Sequence, residues 1–201
     1  MFQELSNTIQ KLDAENIASE RKKVLQPLIE YIQSKLTTGS EIKLNFICTH
    51  NSRRSQLAQI WAKTAASNYG IEIKSYSGGV EVTAFNERAV EALKKAGFQI
   101  TKEGDGNAYY SVSFDENNAH INAFSKTYDD PINPTSAFAA VMTCSHADEN
   151  CPFIAGAEIR LPIRYDDPKE YDDTPLEASK YDERSLQIAN EMFYVFSQVN
   201  K

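Results

Sequence analysis

An α/β fold, with helices flanking a four-stranded parallel sheet, follows from three features of the sequence. Short runs rich in apolar and β-branched residues, at 42–48, 71–76, 137–143 and 159–163, alternate with stretches of helical periodicity. Such alternation places right-handed crossovers over a parallel sheet. The 201 residues suit one domain with a single substantial core. A hydrophobic fraction of 41 %, a charged fraction of 24 %, and ten Tyr with ten Phe describe a folding chain and not a disordered one.

The elements follow in order. Phe2, Leu5, Ile9 and Leu12, then Val24, Leu25, Leu28, Ile29, Ile32 and Leu36, recur at helical spacing and predict two amphipathic helices. Pro27 costs about 3 kcal/mol inside a helix, so it is expected at a kink or in the first turn of a helix running to Leu36, stopped by 37–40. Strand 42–48 leads through a loop into a helix carrying Leu57, Ile60, Trp61, Thr64 and Ala65. Strand 71–76 is expected to end in a turn at Ser77-Gly78-Gly79. A helix with Ala89, Val90, Leu93 and Ala96 facing inward then stops at Gly97. Residues 101–136 break the rhythm, with Gly104, Gly106, Asn107, Asn117 and Asn118 around strand-like runs at 109–114 and 120–128, and read as an inserted hairpin. The strand at 137–143, a short segment at 145–150, the strand at 159–163, a loop at 164–175 and a last helix with Leu186, Ile188, Ala189, Met192, Phe193 and Phe196 complete the chain. The expected organisation is a helical extension over 1–40 and an α/β body over 41–201, interrupted near 104–134.

A net charge of −7 provides no global positive field, which argues against nucleic acid or an acidic membrane surface as partner. With no apolar secretory segment in the first thirty residues and no 18-residue apolar run, a cytoplasmic location is expected. Three cysteines do not make a disulfide framework, and in a reducing compartment a thiol is either reactive or simply buried.

The chemistry concentrates in Cys48-Thr49-His50-Asn51-Ser52-Arg53-Arg54-Ser55, between the first strand and its helix. A turn from a strand's carboxyl end to a helix amino terminus aims successive N–H groups at one point, where a phosphate-sized oxyanion fits. Residues 49–54 would supply that cradle. Cys48 at its base is the candidate nucleophile, and Arg54 offers a planar fork to two oxygens. Ser55 can hydrogen-bond the sulfur and stabilise it as a leaving group. The plainer alternative is a buried strand cysteine followed by a solvated arginine. The strand before, the helix after and the adjacent hydroxyl favour a phosphate-loop nucleophile.

Cys-x5-Arg-Ser at the first strand–helix junction resembles the low-molecular-weight tyrosine phosphatase superfamily, and Asn51-Ser52 with Ser55-Gln56 resembles its thioredoxin-coupled arsenate reductase branch. The likeness covers about 42–200 outside the insertion. It continues in Tyr76-Ser77-Gly78-Gly79, where the resemblance implies that Ser77 supports Asn51. In Asp166-Asp167-Pro168 it implies a general acid, Asp167, with Asp166 as the alternative. The chain departs from the pattern at His50 (usually Gly), at Arg53 (usually Cys) and at Gln59 (Glu in the reductases). His50 is expected to point outward, the alternative being a further donor to the anion, and Arg53 to be a solvated charge, the alternative being an inward placement that raises anion affinity and lowers the Cys48 pKa. His120 and Trp61 are expected to be structural.

Cys144 and Cys151, seven apart after a central strand, are similar to the reductases' redox segment. Structural cysteines, or a zinc site with His146, are the alternatives, although zinc takes four ligands and no fourth clusters here. The resemblance implies that a Cys48 thiolate forms an arsenic adduct, that Cys144 displaces arsenite from it, and that Cys151 takes over the disulfide. A thioredoxin-type dithiol would then reduce it. No bound cofactor or metal is implied. A phosphomonoester phosphatase using only Cys48, Arg54 and Asp167 is the alternative function, and a non-catalytic oxyanion or phosphopeptide module a second one.

Overall fold

The computed structural model describes residues 1–117, 120–150 and 153–200. The four-stranded sheet is all parallel, in the order β2 (Lys74–Gly79), β1 (Lys43–Cys48), β6 (Phe138–Met142), β7 (Ala157–Pro162). Strand β1 is central, and its carboxyl end sets Cys48 beside Gly79 and Ile47 beside Met142. In an open parallel sheet, ligands bind outside the carboxyl ends of the strands. Helix α3 (Arg54–Asn68) is buried on nearly every side between the sheet and the last helix, α6 (Glu177–Ser197). Trp61 is fully enclosed there, with Nε1 donating to Ser185 Oγ at 3.0 Å and its ring edge-on to Phe98. The structural role expected for it holds.

Helix α4 (Glu87–Ala96) starts at Asn86, whose side chain accepts from the Arg88 N–H, and ends at Gly97 with φ +106°. Gly97 is needed twice. Besides the left-handed backbone, a Cβ there would fall 2.3 Å from Leu5 N of helix α1 (Gln3–Ile9). This is one of the places where the amino-terminal segment meets the body. Leu5, Leu25, Leu28 and Ile32 join the same core as Leu44, Trp61 and Phe196, so residues 1–40 are continuous with the body.

Three expectations are corrected. Helix α2 (Ser19–Thr37) begins well before Pro27, which lies in its interior. Pro27 and Lys23, the residue whose carbonyl loses its donor, are both exposed. Burial of Leu25, Leu28, Ile29 and Ile32 offsets the lost bond.

The second strand is displaced by three residues, and Ser77-Gly78-Gly79 is strand instead of turn. These glycines serve close approach. A Cβ on Gly78 would lie 2.3 Å from Tyr128 Cα, and one on Gly79 would lie 2.7 Å from Asn51 N.

The insertion is a three-stranded antiparallel sheet, β3 (Gln99–Glu103), β4 (Tyr109–Ser113) and β5 (Ile121–Ala123), not a two-stranded hairpin. Strand β3, Gln-Ile-Thr-Lys-Glu, carries no apolar alternation to mark it in the sequence, as befits a mostly exposed edge. His120 Nδ1 lies 2.5 Å from Ser113 Oγ, which leaves it structural. Among the described residues no helix is long and apolar enough to cross a membrane.

The Gly78 contact carries a prediction. Gly78→Ala forces a methyl into backbone that cannot yield, and it should lower unfolding free energy by about 2–3 kcal/mol in urea titrations. A loss under about 0.5 kcal/mol, the range of ordinary surface changes, would contradict this packing.

Candidate active site

Every carbonyl from Cys48 to Arg53 is engaged from outside the loop. Val80 N donates to Cys48 O (3.2 Å), Glu81 N to Thr49 O (2.8 Å) and Asn86 N to Ser52 O (2.9 Å). His50 O accepts from Ser125 Oγ (2.9 Å) and Thr83 Oγ1 (3.2 Å). Gln56 Nε2 reaches Asn51 O (3.1 Å), and Leu57 N closes the first helical bond on Arg53 O (2.9 Å). With the carbonyls turned out, the N–H groups of residues 50–54 meet no protein acceptor among the described residues. Asn51 makes the turn at φ +46°, a conformation Asn tolerates better than most residues.

The side chains at the base define a hydrogen-bond direction. Asn51 Oδ1 accepts from Lys126 N (3.0 Å) and Gln56 Nε2 (3.2 Å), so its amide nitrogen is the end that faces Ser55 Oγ at 2.8 Å. Having accepted that bond, Ser55 has one proton, and Cys48 Sγ lies 3.0 Å away to take it. Ser77 does not touch Asn51 directly. Its hydroxyl donates to Gln56 Oε1 at 3.3 Å, and Gln56 carries the support onward to the loop. Gln59 instead binds the Ser75 carbonyl at 3.2 Å.

Arg54 Nη1 donates to Tyr165 O (3.0 Å) and Nη2 to Asp167 Oδ2 (2.5 Å), while its buried Nε has no protein partner. Asp167 also accepts from Lys169 N as amino-terminal cap of the short 3-10 turn Pro168–Tyr171. Asp166 points away, its side chain 92 % exposed and 3.5 Å from Arg184.

The remaining loop side chains leave the cradle to its N–H groups. Ser52 Oγ binds Ala84 O (2.7 Å), and His50, partly exposed, lies 3.5 Å from Glu81. Arg53 corrects its expectation. Only 11 % exposed, it donates from Nε to Tyr181 OH (2.8 Å) and lies 3.7 Å from Asp172 and 4.0 Å from Asp167. Tyr181 in turn donates to Asp172 Oδ1 at 2.7 Å. Arg53 therefore ties the loop to the segment bearing Asp167 and does not float in water. A cavity of about 440 Å³ opens beside it, walled in part by His50, Arg53, Glu87, Arg88 and Lys169.

Thr49 turns toward the second cysteine. Its hydroxyl lies 3.4 Å from Cys144 Sγ and 3.3 Å from His146 Nδ1, and Ala147 N donates to the same sulfur at 3.3 Å. Cys144, a free buried thiol, shares a small apolar cluster with Cys48. Helix α5 (Ser145–Asn150) follows it, pinned by buried Asp148, which ion-pairs Arg160 and accepts from Arg164 Nε at 2.6 Å. Cys151 lies outside the described residues. Among those described, no group of three or more His, Cys, Asp or Glu side chains could hold a metal.

A cysteine beneath converging N–H groups, with an arginine and a carboxylate at the rim, defines a protein built to do thiol chemistry on a tetrahedral oxyanion. Residues 43–106 match the model of the low molecular weight phosphotyrosine protein phosphatases. An arsenate reductase of Staphylococcus epidermidis is 33 % identical over 123 residues, 61 % of this chain and 76 % of that one. The arsenate reductase of a Staphylococcus aureus strain is 32 % identical over the same lengths. Two phosphatase crystal structures share the fold. That from Vibrio cholerae matches with TM-score 0.53 at 14 % identity, over 78 % of this chain and 95 % of that one. That from T. tengcongensis matches with TM-score 0.51 at 16 % identity, over 79 % and 100 %. The chain belongs to the low-molecular-weight tyrosine phosphatase superfamily, in the branch that contains the arsenate reductases.

Sequence reasoning missed Ser125, Lys126 and Tyr181. Lys126 sits at the exit of the insertion, its ammonium 4.5 Å above the Phe124 ring. Burial lowers its pKa to about 8, against the opposing pull of Asp130. The unfolded chain then holds one more proton than the folded one between about pH 8 and 10.5, so this contribution to stability rises with pH across that window. Lys126→Met should be the more stable form at pH 7, by on the order of 3 kcal/mol, with the gap closing toward pH 10.5. Parallel stability curves for the two proteins over pH 7–10.5 would contradict this.

Proposed function

We propose that the protein reduces arsenate to arsenite through a Cys48 adduct and a three-cysteine relay. The observation that carries this reading is the second buried thiol, Cys144, touching Thr49 immediately next to Cys48. Ester hydrolysis has no use for it. The arsenate oxygens take the N–H groups of residues 50–54 and the fork of Arg54, where the anion replaces the Asp167 carboxylate. The Cys48 thiolate attacks arsenic, and an oxygen leaves as water with a proton passed by Asp167. Cys144 then attacks Cys48 Sγ. The S–S bond forms, the S–As bond breaks, and its electron pair stays on arsenic, which leaves as arsenite in the +3 state. Cys151 next attacks Cys144 and frees Cys48, and an external dithiol of the thioredoxin kind reduces the resulting disulfide.

Assaying arsenate-dependent thioredoxin oxidation beside p-nitrophenyl phosphate hydrolysis tests the reading. The wild type should oxidise thioredoxin only with arsenate. Cys48→Ser should lose both activities. Cys144→Ser should lose arsenate turnover and keep any ester hydrolysis, since only the relay needs that sulfur. Ester hydrolysis without arsenate-dependent oxidation would make the protein a phosphatase. Asp167→Asn should cut kcat by roughly 10²–10⁴-fold without weakening phosphate binding, since it also removes the carboxylate that competes for Arg54, and Asp166→Asn should leave both unchanged. A larger effect at Asp166 would displace the acid by one residue.

The relay also demands motion. The six residues of α5 rise roughly 9 Å along the helix axis. A disulfide tolerates at most about 7 Å between Cα atoms, so closing Cys144–Cys151 requires α5 to unwind against the Asp148 pairs. Amide exchange in 145–150 should therefore accelerate after one arsenate turnover. Unchanged protection, with Cys151 still a free thiol by mass spectrometry, would leave both cysteines structural.

A further inference from the structure

The helical extension reaches the active site through one side chain. Arg21 of α2 forks onto Glu191 of α6, Nε to Oε1 at 2.8 Å and Nη2 to Oε2 at 2.7 Å, with the Glu191 side chain 4 % exposed. The same guanidinium lies 4.8 Å from the centroid of the Tyr165 ring. Burial and the nearby Glu191 carboxylate hold the Tyr165 hydroxyl well above its ordinary pKa, so the ring stays neutral and its face attracts the cation.

Tyr165 is the root of the segment that carries Asp167. Its N–H donates to Thr143 O at 3.0 Å, one residue before Cys144, and its carbonyl accepts from Arg54 Nη1 at 3.0 Å. The other terminal nitrogen of Arg54 holds Asp167. One residue therefore joins the extension's cation to the plane of the Arg54 guanidinium. Gln187 Nε2 donates to Glu191 Oε1 at 3.1 Å, which keeps the carboxylate in place beneath Arg21.

We propose that Arg21 is a positioning residue for the oxyanion site, holding Tyr165 so that its carbonyl sets the plane of Arg54. The proposal rests on the reading above only in taking Arg54 as the anion's fork. The extension is thereby a working part of the site and not an appendage. It predicts a loss of anion affinity and turnover from a substitution whose side chain never meets the substrate.

The test compares wild type with the double variant Arg21→Met/Glu191→Gln, which removes the cation without stranding a buried carboxylate. Arg21→Lys retains the charge. Lys35→Met breaks a different tie of the extension, the 2.6 Å pair with Glu158 on β7. Three readouts are taken: rotation of the Arg54 guanidinium by ¹⁵N nuclear magnetic resonance, inorganic phosphate affinity by calorimetry, and thermal unfolding.

The double variant should remain folded, show freed Arg54 rotation and bind phosphate about tenfold more weakly. Arg21→Lys should recover part of both losses, and Lys35→Met should change neither. Restricted Arg54 rotation with wild-type phosphate affinity in the folded double variant would overturn the proposal. Equal losses in Lys35→Met would also overturn it, by showing that any loosening of the extension suffices. A wild type that binds no phosphate would refute the role given to Arg54, while the rotation measurement would still decide the link from Arg21.

Discussion

The whole site depends on the outward satisfaction of six consecutive carbonyls. A peptide unit presents its N–H and C=O on opposite sides, so fixing each oxygen of residues 48–53 from without commits the neighbouring N–H groups to face inward. The donors come from three places: the chain just beyond β2, the exit of the insertion, and α3 itself. Gly79 makes this possible by letting the Asn51 backbone approach to where a side chain would stand. An inward ring of N–H groups at a helix amino terminus attracts anions without any lysine in the loop. A chain of net charge −7 can thus hold an oxyanion, because its attraction is local and built from dipoles.

Charge at the rim is arranged in opposed pairs. Arg54 faces Asp167, and Arg53 reaches Tyr181, Asp172 and the outer side of Asp167. On the proposed reading an incoming oxyanion would compete with Asp167 for Arg54, and Arg53 would keep the displaced carboxylate close to the loop. Stability and chemistry share these contacts. Arg53 is bonded to Tyr181 and lies close to Asp172 and Asp167, which links the loop to the Asp167 segment.

The sequence displayed the centre of this arrangement well and its supports poorly. Cys48, Arg54 and Ser55 were legible because they are local, a spacing of six between a strand and a helix. Asp167 came only from the family resemblance at Asp166-Asp167-Pro168, and what separates it from Asp166 is which side chain turns inward to Arg54. The pairing of Ser77 with Asn51 was nearly legible. The intermediary, Gln56, looked like one more helical polar residue until packing enclosed it. Ser77-Gly78-Gly79 read as a turn because glycine marks both turns and close approach, and only the Tyr128 and Asn51 backbones distinguish them. Arg53, Ser125, Lys126 and Arg21 act across 75 to 170 residues of chain, at separations where one sequence offers no periodicity to read.

The central claim is that residues 50–54 and Arg54 form one oxyanion cradle above Cys48, and a crystal structure with bound orthovanadate tests it most directly. The account predicts vanadium bonded to Cys48 Sγ, its oxygens met by the N–H groups of residues 50–54 and by Nε and one terminal nitrogen of Arg54, and Asp167 turned from Arg54 toward the apical oxygen. Vanadate bound elsewhere, or bound with Arg54 still paired to Asp167 and the loop N–H groups unused, would contradict it.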